Sequence, residues 1–446
     1  MRGGDTHGTV DAGYTYLGQF IDHDLTLDLT PLDRAHPNIA CVRNFRTPFL
    51  DLDHVYGGGP SLSPFLYENN QGNRNKERFL LGDTRGEGSS QNDLPRSPQG
   101  IALVGDSRQD ENLIVAQLHV AFLKFHNRVV EELEHGKLTS VGPCGGTLFE
   151  QARRFVIWHY QYLVVNDFLA EVVDRDVLEE IPARIGGAEQ CGRGHFRIPV
   201  EFSAAGFRFG HSMVRDLYGF YNRHHDNVRL VEDILHQTGP GGGAVPCLRE
   251  EWVINWASFF RVPEMELTVN KAHPIDTMIA EGLHDLKVQT IKLFNVASRS
   301  EPDPPSPAKK LPVRTLWRGA RLGLPSGQDV ARAIGTKPLD PEKEIATGPH
   351  EKELRDYGFH KDTPLWYYVL KEAEQRKGGK KLGQVGSRIV GDVIIDSLRA
   401  DPNSYLSIDP AWKPELDGRL ACKMIYFLRY ADRTPLTDQN VPECPT

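Results

Sequence analysis

Apolar residues recur at spacings of three and four over long stretches of the chain. Between Glu111 and His135 the series Leu118, Phe122, Phe125, Val129 and Leu133 keeps that spacing, which predicts a buried amphipathic helix. A second long helix is predicted over 148–173. Shorter ones are predicted over 10–28, 207–222, 276–294, 328–334, 365–374 and 384–398. Strict alternation, the mark of a half-buried strand, is scarce. The pattern therefore predicts a mainly α fold with little β structure. Breaks fall at Gly57-Gly58-Gly59-Pro60, between Gly86 and Gly100, between Gly239 and Gly243, and between Glu301 and Pro312, where five prolines exclude a helix interior. The helical patterns on either side of this last segment are alike, so it reads as a surface loop within one domain covering 1–446. No internal repeat is visible.

Composition adds limits to this picture. The chain has 446 residues, of which 39% are hydrophobic and 25% charged, enough for a sizeable core. The most apolar run, Phe155–Leu169, is interrupted by His159, Gln161, Asn166 and Asp167, so no membrane-spanning helix is predicted. A net charge of −8 gives no general electrostatic footprint for nucleic acid or anionic lipid. The six cysteines, at 41, 144, 191, 247, 422 and 444, have no zinc-ligand spacing and are compatible with thiols or disulfides. Residues 1–8 lack the apolar stretch of a cleavable signal, which leaves either a protein that stays inside or an incomplete chain start.

Four segments concentrate chemistry. In Tyr14–Asp28, the residues Gln19, Asp22 and His23 fall within an arc of about 100° on a helix, with Asp24 one residue step away. A solvated face would account for them, but Leu17, Phe20, Ile21 and Leu25 flank them and place the polar groups in apolar surroundings, where they need partners. In Thr47–Gly57, the oxygen-bearing Thr47, Asp51 and Asp53 alternate with apolar residues. Hard oxygen ligands in a loop suit Ca²⁺, and a turn with Asx caps explains the same pattern. Gly105–Asn112 places Arg108 and Glu111 three apart, and helix capping by Asp106 or Ser107 accounts for that segment without function. In Phe207–Arg215, His211 lies on an apolar face, where a satisfied core histidine is the ordinary case, but Gly210 beside it leaves room for a flat group.

Together and in this order, the four segments resemble the animal-type haem peroxidases, most closely their bacterial members. Further similarity lies in Lys124–Arg128, Arg318–Gln328, Asp362–Trp366 and Asp401–Tyr405, so that the resemblance covers about residues 14–415. It implies a helical haem-peroxidase domain with haem b and Ca²⁺. By the same resemblance, His23 and Gln19 are the distal residues, Arg108 the distal arginine and His211 the axial iron ligand. Asp24, Thr47, the Phe49 carbonyl, Asp51 and Asp53 are the calcium ligands, and Asp22 and Glu111 are carboxylates that form esters with the haem. The implied chemistry is cleavage of hydrogen peroxide, with His23 moving a proton between its oxygens and Arg108 stabilising negative charge. The donor oxidised is a halide, thiocyanate or a small phenolic or other organic molecule.

Three positions and the early start of the distal motif depart from the family pattern or bear on its branches. Thr315 stands where the family has an asparagine on the proximal histidine, and the distal motif begins unusually near the chain start, as in a shortened form. Asn112 excludes the methionine sulfonium link of one subgroup. Arg208 occupies the place of the tyrosine that a related fatty-acid dioxygenase branch requires, which favours a peroxidase over the dioxygenase. A non-catalytic binding protein on the same scaffold is the third possibility, opposed by the retained His23, Arg108 and His211.

Overall fold

A computed structural model describes residues 8–28, 42–68, 77–86, 88–181, 196–222, 228–235, 238, 247–263, 265–286 and 309–434. Seven helices carry the architecture: α1 (Gly13–Leu25), α2 (Leu113–Glu134), α3 (Leu148–Leu163), α4 (Leu311–Arg321), α5 (Leu365–Lys377), α6 (Gln384–Ala400) and α7 (Met424–Ala431). The β structure among the described residues is two antiparallel two-residue pairs, β1 (Leu217–Tyr218) with β2 (Arg229–Leu230), and β3 (Glu415–Leu416) with β4 (Arg419–Leu420). The fold is thus mainly α, as the apolar periodicity requires. No described helix is long and apolar enough to cross a membrane.

Helix α2 lies at the centre, buried on most sides over its first four turns. Asn112 starts it by accepting the Val115 amide at 2.9 Å, which satisfies one of the free N–H groups of its first turn. Its Phe122 ring stacks on Phe20 of α1 with centroids 4.6 Å apart, and Phe125 stacks on Phe427 of α7 at 3.9 Å. These aromatic contacts fix three helices against one another. A reciprocal capping box, Thr147 with Glu150, starts α3.

The predicted helix over 148–173 is not regular throughout. A π-helical turn, Val164–Phe168, interrupts it and brings Asp167 inward. There Asp167 accepts from the Tyr14 hydroxyl at 2.8 Å, the Lys423 ammonium at 2.8 Å and the Met424 amide at 2.7 Å, tying α1, the end of α3 and α7 together.

Two predicted helices fail. Over 207–222 the chain forms only a 3₁₀ turn, Gly206–Phe209, and one helical turn, Gly210–Met213, before Val214 becomes extended at ψ 136°. Glycines at 206, 210 and 219 weaken the helix, and the Arg215 amide donates to the Tyr218 hydroxyl at 3.1 Å instead of continuing it. Over 276–286 the structure holds one 3₁₀ turn, Glu281–Leu283, because Asp276 accepts the Met278 amide at 2.8 Å in an Asx turn. Residues 287–294 of that prediction lie outside the described residues, as do 301–308 of the proline-rich segment, the glycines 239–243 and the start 1–7. Helices α4 and α7 have no counterpart among the predicted elements. Cys422 is disulfide-bonded, Cys144 and Cys247 are free thiols, and Cys41, Cys191 and Cys444 are outside the described residues.

Candidate active site

A cavity of about 570 Å³ opens between α1, the turn Ser107–Asp110, the segment around His211 and α4. Gln19, Asp22, His23, Arg108, Glu111 and His211 all line it, so the structure brings together residues that the sequence spreads over 193 positions. Asp22 accepts from Thr26 Oγ1 at 3.0 Å. His23 is buried, with Nε2 3.2 Å from Glu111 Oε1 and Nδ1 3.1 Å from Gln109 Nε2. Gln19 also donates to Glu111 Oε1, and its own Oε1 accepts from Asn112 at 2.9 Å. The second oxygen of Glu111 is buried with no hydrogen-bond partner among the described residues, an arrangement that leaves a polar atom for something else to satisfy.

Arg108 lies against Asp106 and the main chain of α1. Its Nη2 donates to the His23 carbonyl at 3.0 Å and to Asp106 Oδ2 at 2.8 Å. Asp106 also caps the turn through the Arg108 amide at 2.9 Å, so the capping arrangement expected from the sequence is present together with the cavity position. Burial alone raises the Asp106 carboxyl, but the guanidinium of Arg108, with a smaller contribution from Arg46, holds it well below the usual carboxylate range.

On the other wall, His211 Nδ1 is 3.4 Å from the Thr315 hydroxyl, whose own proton goes to the Leu311 carbonyl at 3.1 Å. The hydroxyl oxygen is then an acceptor for an Nδ1–H, a long contact, and Nε2 keeps its lone pair. Burial, with the charges of Arg208 and Arg314, pushes the His211 imidazole down to about 3, so it is neutral. A Cβ at Gly210 would meet nothing within 4 Å, so the space beside His211 is open.

Four arginines that the sequence did not mark as site residues line the same cavity: Arg46, Arg208, Arg314 and Arg318. Arg208 Nε donates to the Ser203 carbonyl at 2.9 Å, and Arg318 pairs with Asp28 at 3.1 Å. Burial lowers Arg208, Arg314 and Arg318, and repulsion from neighbouring arginines adds to it at Arg208 and Arg314, the latter brought down to about 10. Such a cationic wall suits a ligand that carries carboxylates. A neutral histidine with a free lone pair, the unsatisfied Glu111 oxygen and the open space at Gly210 fit a flat, metal-centred, carboxylate-bearing group such as haem b.

Behind His23, the expected calcium residues converge. Asp24 is fully buried, and its Oδ1 lies 2.9 Å from His54 Nδ1. Thr47 donates to Asp51 Oδ2 at 2.9 Å, and the Asp53 amide donates to Asp51 Oδ1 at 3.1 Å, forming the Asx turn read as the alternative for this loop. Phe49 is half-buried in the same loop. Leu52, between the two aspartates, has φ 56°, the left-handed region that a branched side chain occupies at a cost. Burial, then the charges of Asp24 and Asp53, push the Asp51 carboxyl up to about 7, and burial followed by Asp53 raises Asp24 as well. Against this crowding, the Arg46 guanidinium pairs with Asp53 at 3.2 Å and with Asp106, and the charge of Arg153 acts on Asp51. A divalent cation would relieve that repulsion. His54, which sequence reading passed over, joins Asp24 and Asp53 in a cluster whose ligand atoms lie within 4.8 Å of one another.

Comparisons with known proteins bear on the fold and the family. The animal haem peroxidase family model matches residues 33–239, a span that contains Thr47, Asp51, Asp53, Arg108, Glu111 and His211. The chain is 26% identical to the chorion peroxidase of Drosophila melanogaster over 80% of its own length and 42% of that protein's. Among solved structures, peroxidase A from Dictyostelium discoideum superposes with a TM-score of 0.56 at 16% identity, covering 97% of this chain and 83% of the other. The Oryza sativa fatty acid alpha-dioxygenase superposes with a TM-score of 0.63 at 15% identity, covering 96% and 73%. At these identities the two superpositions speak for the fold. The chain spans only a quarter to about two-fifths of the length of the first curated relatives it matches.

Proposed function

We propose that this chain, which belongs to the animal haem peroxidase family, is a haem-dependent peroxidase that reduces hydrogen peroxide and oxidises a halide, thiocyanate or a small organic donor. The observation that carries this function is the convergence of His23, Arg108, Glu111 and His211 on one cavity. Bound haem b supplies the iron at which the O–O bond is cleaved. His211 holds that iron through Nε2 as a neutral imidazole, with Thr315 orienting the ring from Nδ1. Arg208, Arg314 and Arg318 hold the carboxylates of the porphyrin.

His23 accepts a proton from the near peroxide oxygen at Nε2 and returns it to the leaving oxygen. Arg108 stabilises the negative charge that develops there, and Gln19 positions water or the anionic donor. Calcium held by Asp24, Thr47, the Phe49 carbonyl, Asp51 and Asp53 fixes the backbone next to His23. Asp22 and Glu111 are the carboxylates placed to form ester links. A fatty-acid dioxygenase is disfavoured because Arg208, a cation on the cavity wall, stands three residues before His211.

The test is a visible spectrum of the protein supplied with haem, followed by addition of peroxide. A Soret band that changes rapidly and returns on adding iodide, thiocyanate or a phenol is expected. A protein that takes up no haem, or binds it without responding to peroxide, is not a peroxidase.

A further inference from the structure

We propose that Gln109 is a positioning residue that decides which nitrogen of His23 carries the ring proton, and thereby whether the distal base can accept one. The proposal rests on the peroxidase function above, which needs a lone pair at His23 Nε2.

Gln109 is fully buried in the turn Ser107–Asp110. The turn is pinned on both sides: Asp106 accepts the Arg108 amide at 2.9 Å, and Asp110 pairs with Arg96 at 2.8 Å. The Gln109 side chain is therefore presented to His23 by a rigid support. Its Nε2 lies 3.1 Å from His23 Nδ1, and its Oε1 is buried with no hydrogen-bond partner among the described residues. No other described group holds the amide oxygen, so either end of the amide can be presented to the imidazole.

Two arrangements satisfy the ring. With the amide N–H donating to Nδ1, the ring proton sits on Nε2 and donates to Glu111 Oε1 at 3.2 Å. In that state Nε2 has no lone pair to receive a proton from peroxide. Rotating the amide by half a turn puts Oε1 against Nδ1, which then carries the ring proton and leaves Nε2 without one; Glu111 Oε1, 3.2 Å away, no longer accepts from it. A glutamine is isosteric in the two orientations, so the change needs no movement of the turn. Proton transfer then balances within the site: the near oxygen of peroxide gives its proton to Nε2, Nδ1–H stays on Gln109 Oε1, and Nε2 returns the proton to the leaving oxygen as water forms.

Two near-isosteric variants separate this role from packing. Gln109→Glu keeps an acceptor for Nδ1–H, while Gln109→Met keeps the shape and offers none. In haem-loaded, reduced and carbonyl-bound protein with ¹⁵N-labelled histidine, the His23 ring signals are identified by their loss in His23→Ala. Wild type and Gln109→Glu should show the Nδ1–H tautomer, and Gln109→Met should shift it towards Nε2–H. The peroxide reaction of Gln109→Met should slow by about tenfold or more, the usual cost of losing a partner that orients a functional histidine, with its haem content unchanged. Unaltered tautomer and rate in Gln109→Met, or equal losses in both variants without a tautomer change, would overturn the assignment. A wild-type protein inert to peroxide would instead sink the peroxidase function, and the ring-nitrogen signals would still decide the role of Gln109.

Discussion

His211 and His23 face the same cavity but answer to different partners, and substitutions should separate their roles. His211→Ala removes the lone pair proposed to hold iron and should abolish stable haem binding, read from the Soret band. His23→Ala should keep haem and lose about 10² to 10⁴ in the rate of reaction with peroxide, the range for a positioned acid–base group. Arg108→Ala should lose about 10² to 10³ as a preorganised charge donor. Because Arg108 also holds the His23 carbonyl and Asp106, its haem spectrum must be checked beside the rate. A stopped-flow rate for either variant within about threefold of wild type, far inside those losses, removes that residue from the mechanism.

The two cavity carboxylates make a separate prediction. Among the described residues, Asp22 accepts from Thr26, and one buried oxygen of Glu111 has no hydrogen-bond partner. Turnover with peroxide should therefore leave up to two ester links and no sulfonium, because position 112 is asparagine. Acid–acetone extraction with mass spectrometry reads this directly. Haem that remains fully extractable and unmodified after peroxide treatment excludes the esters, and Asp22→Asn and Glu111→Gln should each delete one.

At the scale of elements, periodicity revealed what periodicity encodes. Helix α2 was legible from its long apolar series alone, since its cap is Asn112 and not Asp106 or Ser107. The π turn at 164–168 was not, since one extra residue per turn leaves the run apolar, and α4 was hidden because its Pro312 sits in the first turn, where proline is tolerated. The helix of His211 was overextended because nothing in the spacing records the Arg215–Tyr218 bond. Site residues within motifs were legible by type and order. Gln109, Arg46, His54 and Arg314 were not, because their meaning comes only from approach across the fold.

The loop proposed to bind calcium is one such element. Three carboxylates, with the Thr47 hydroxyl and the Phe49 carbonyl, should hold the ion tightly, and a chelator should lower both thermal stability and activity, since Asp24 adjoins His23. An active preparation that contains no calcium by elemental analysis contradicts this. The junction of α5 and α6 supplies a pH dependence free of metal. Glu372 is buried and accepts the Val385 amide at 2.9 Å and that of Gly386, yet burial pushes it up to about 7. A raised folded pKa means its stabilising contribution is intact below the unfolded value, near 4.3, and is lost as pH rises through about 7. The loss is on the order of 3 kcal/mol. Glu372→Gln should therefore raise the melting temperature more at pH 8 than at pH 5. An equal change at the two pH values would show that burial of this carboxyl costs nothing.

At the scale of the molecule, the cavity and the core are shared by the whole chain. Cavity walls come from residues between Tyr14 and Leu322, and one cluster of buried side chains extends from Val10 to Ala431. Elements beyond the cavity brace it: Trp366 of α5 donates to the Arg208 carbonyl at 3.0 Å, and Ser397 of α6 donates to the Pro48 carbonyl beside the loop of Asp51 and Asp53 at 2.6 Å. We propose that residues 1–446 form one cooperative domain, although chains of this length commonly divide. Haem then acts as part of the common core, and its binding free energy is spread over the entire transition. Free haem at about 100 times its Kd should add about 2.7 kcal/mol, which in a large protein is a rise of only a few degrees. The informative measurement is coincidence. Loss of the Soret band and loss of far-ultraviolet circular dichroism should follow one curve on heating, with and without added haem displacing both together. If the Soret band disappears while most of the helical signal persists, or if two transitions resolve and haem moves only one, the halves that meet at the cavity fold independently and the haem merely joins them.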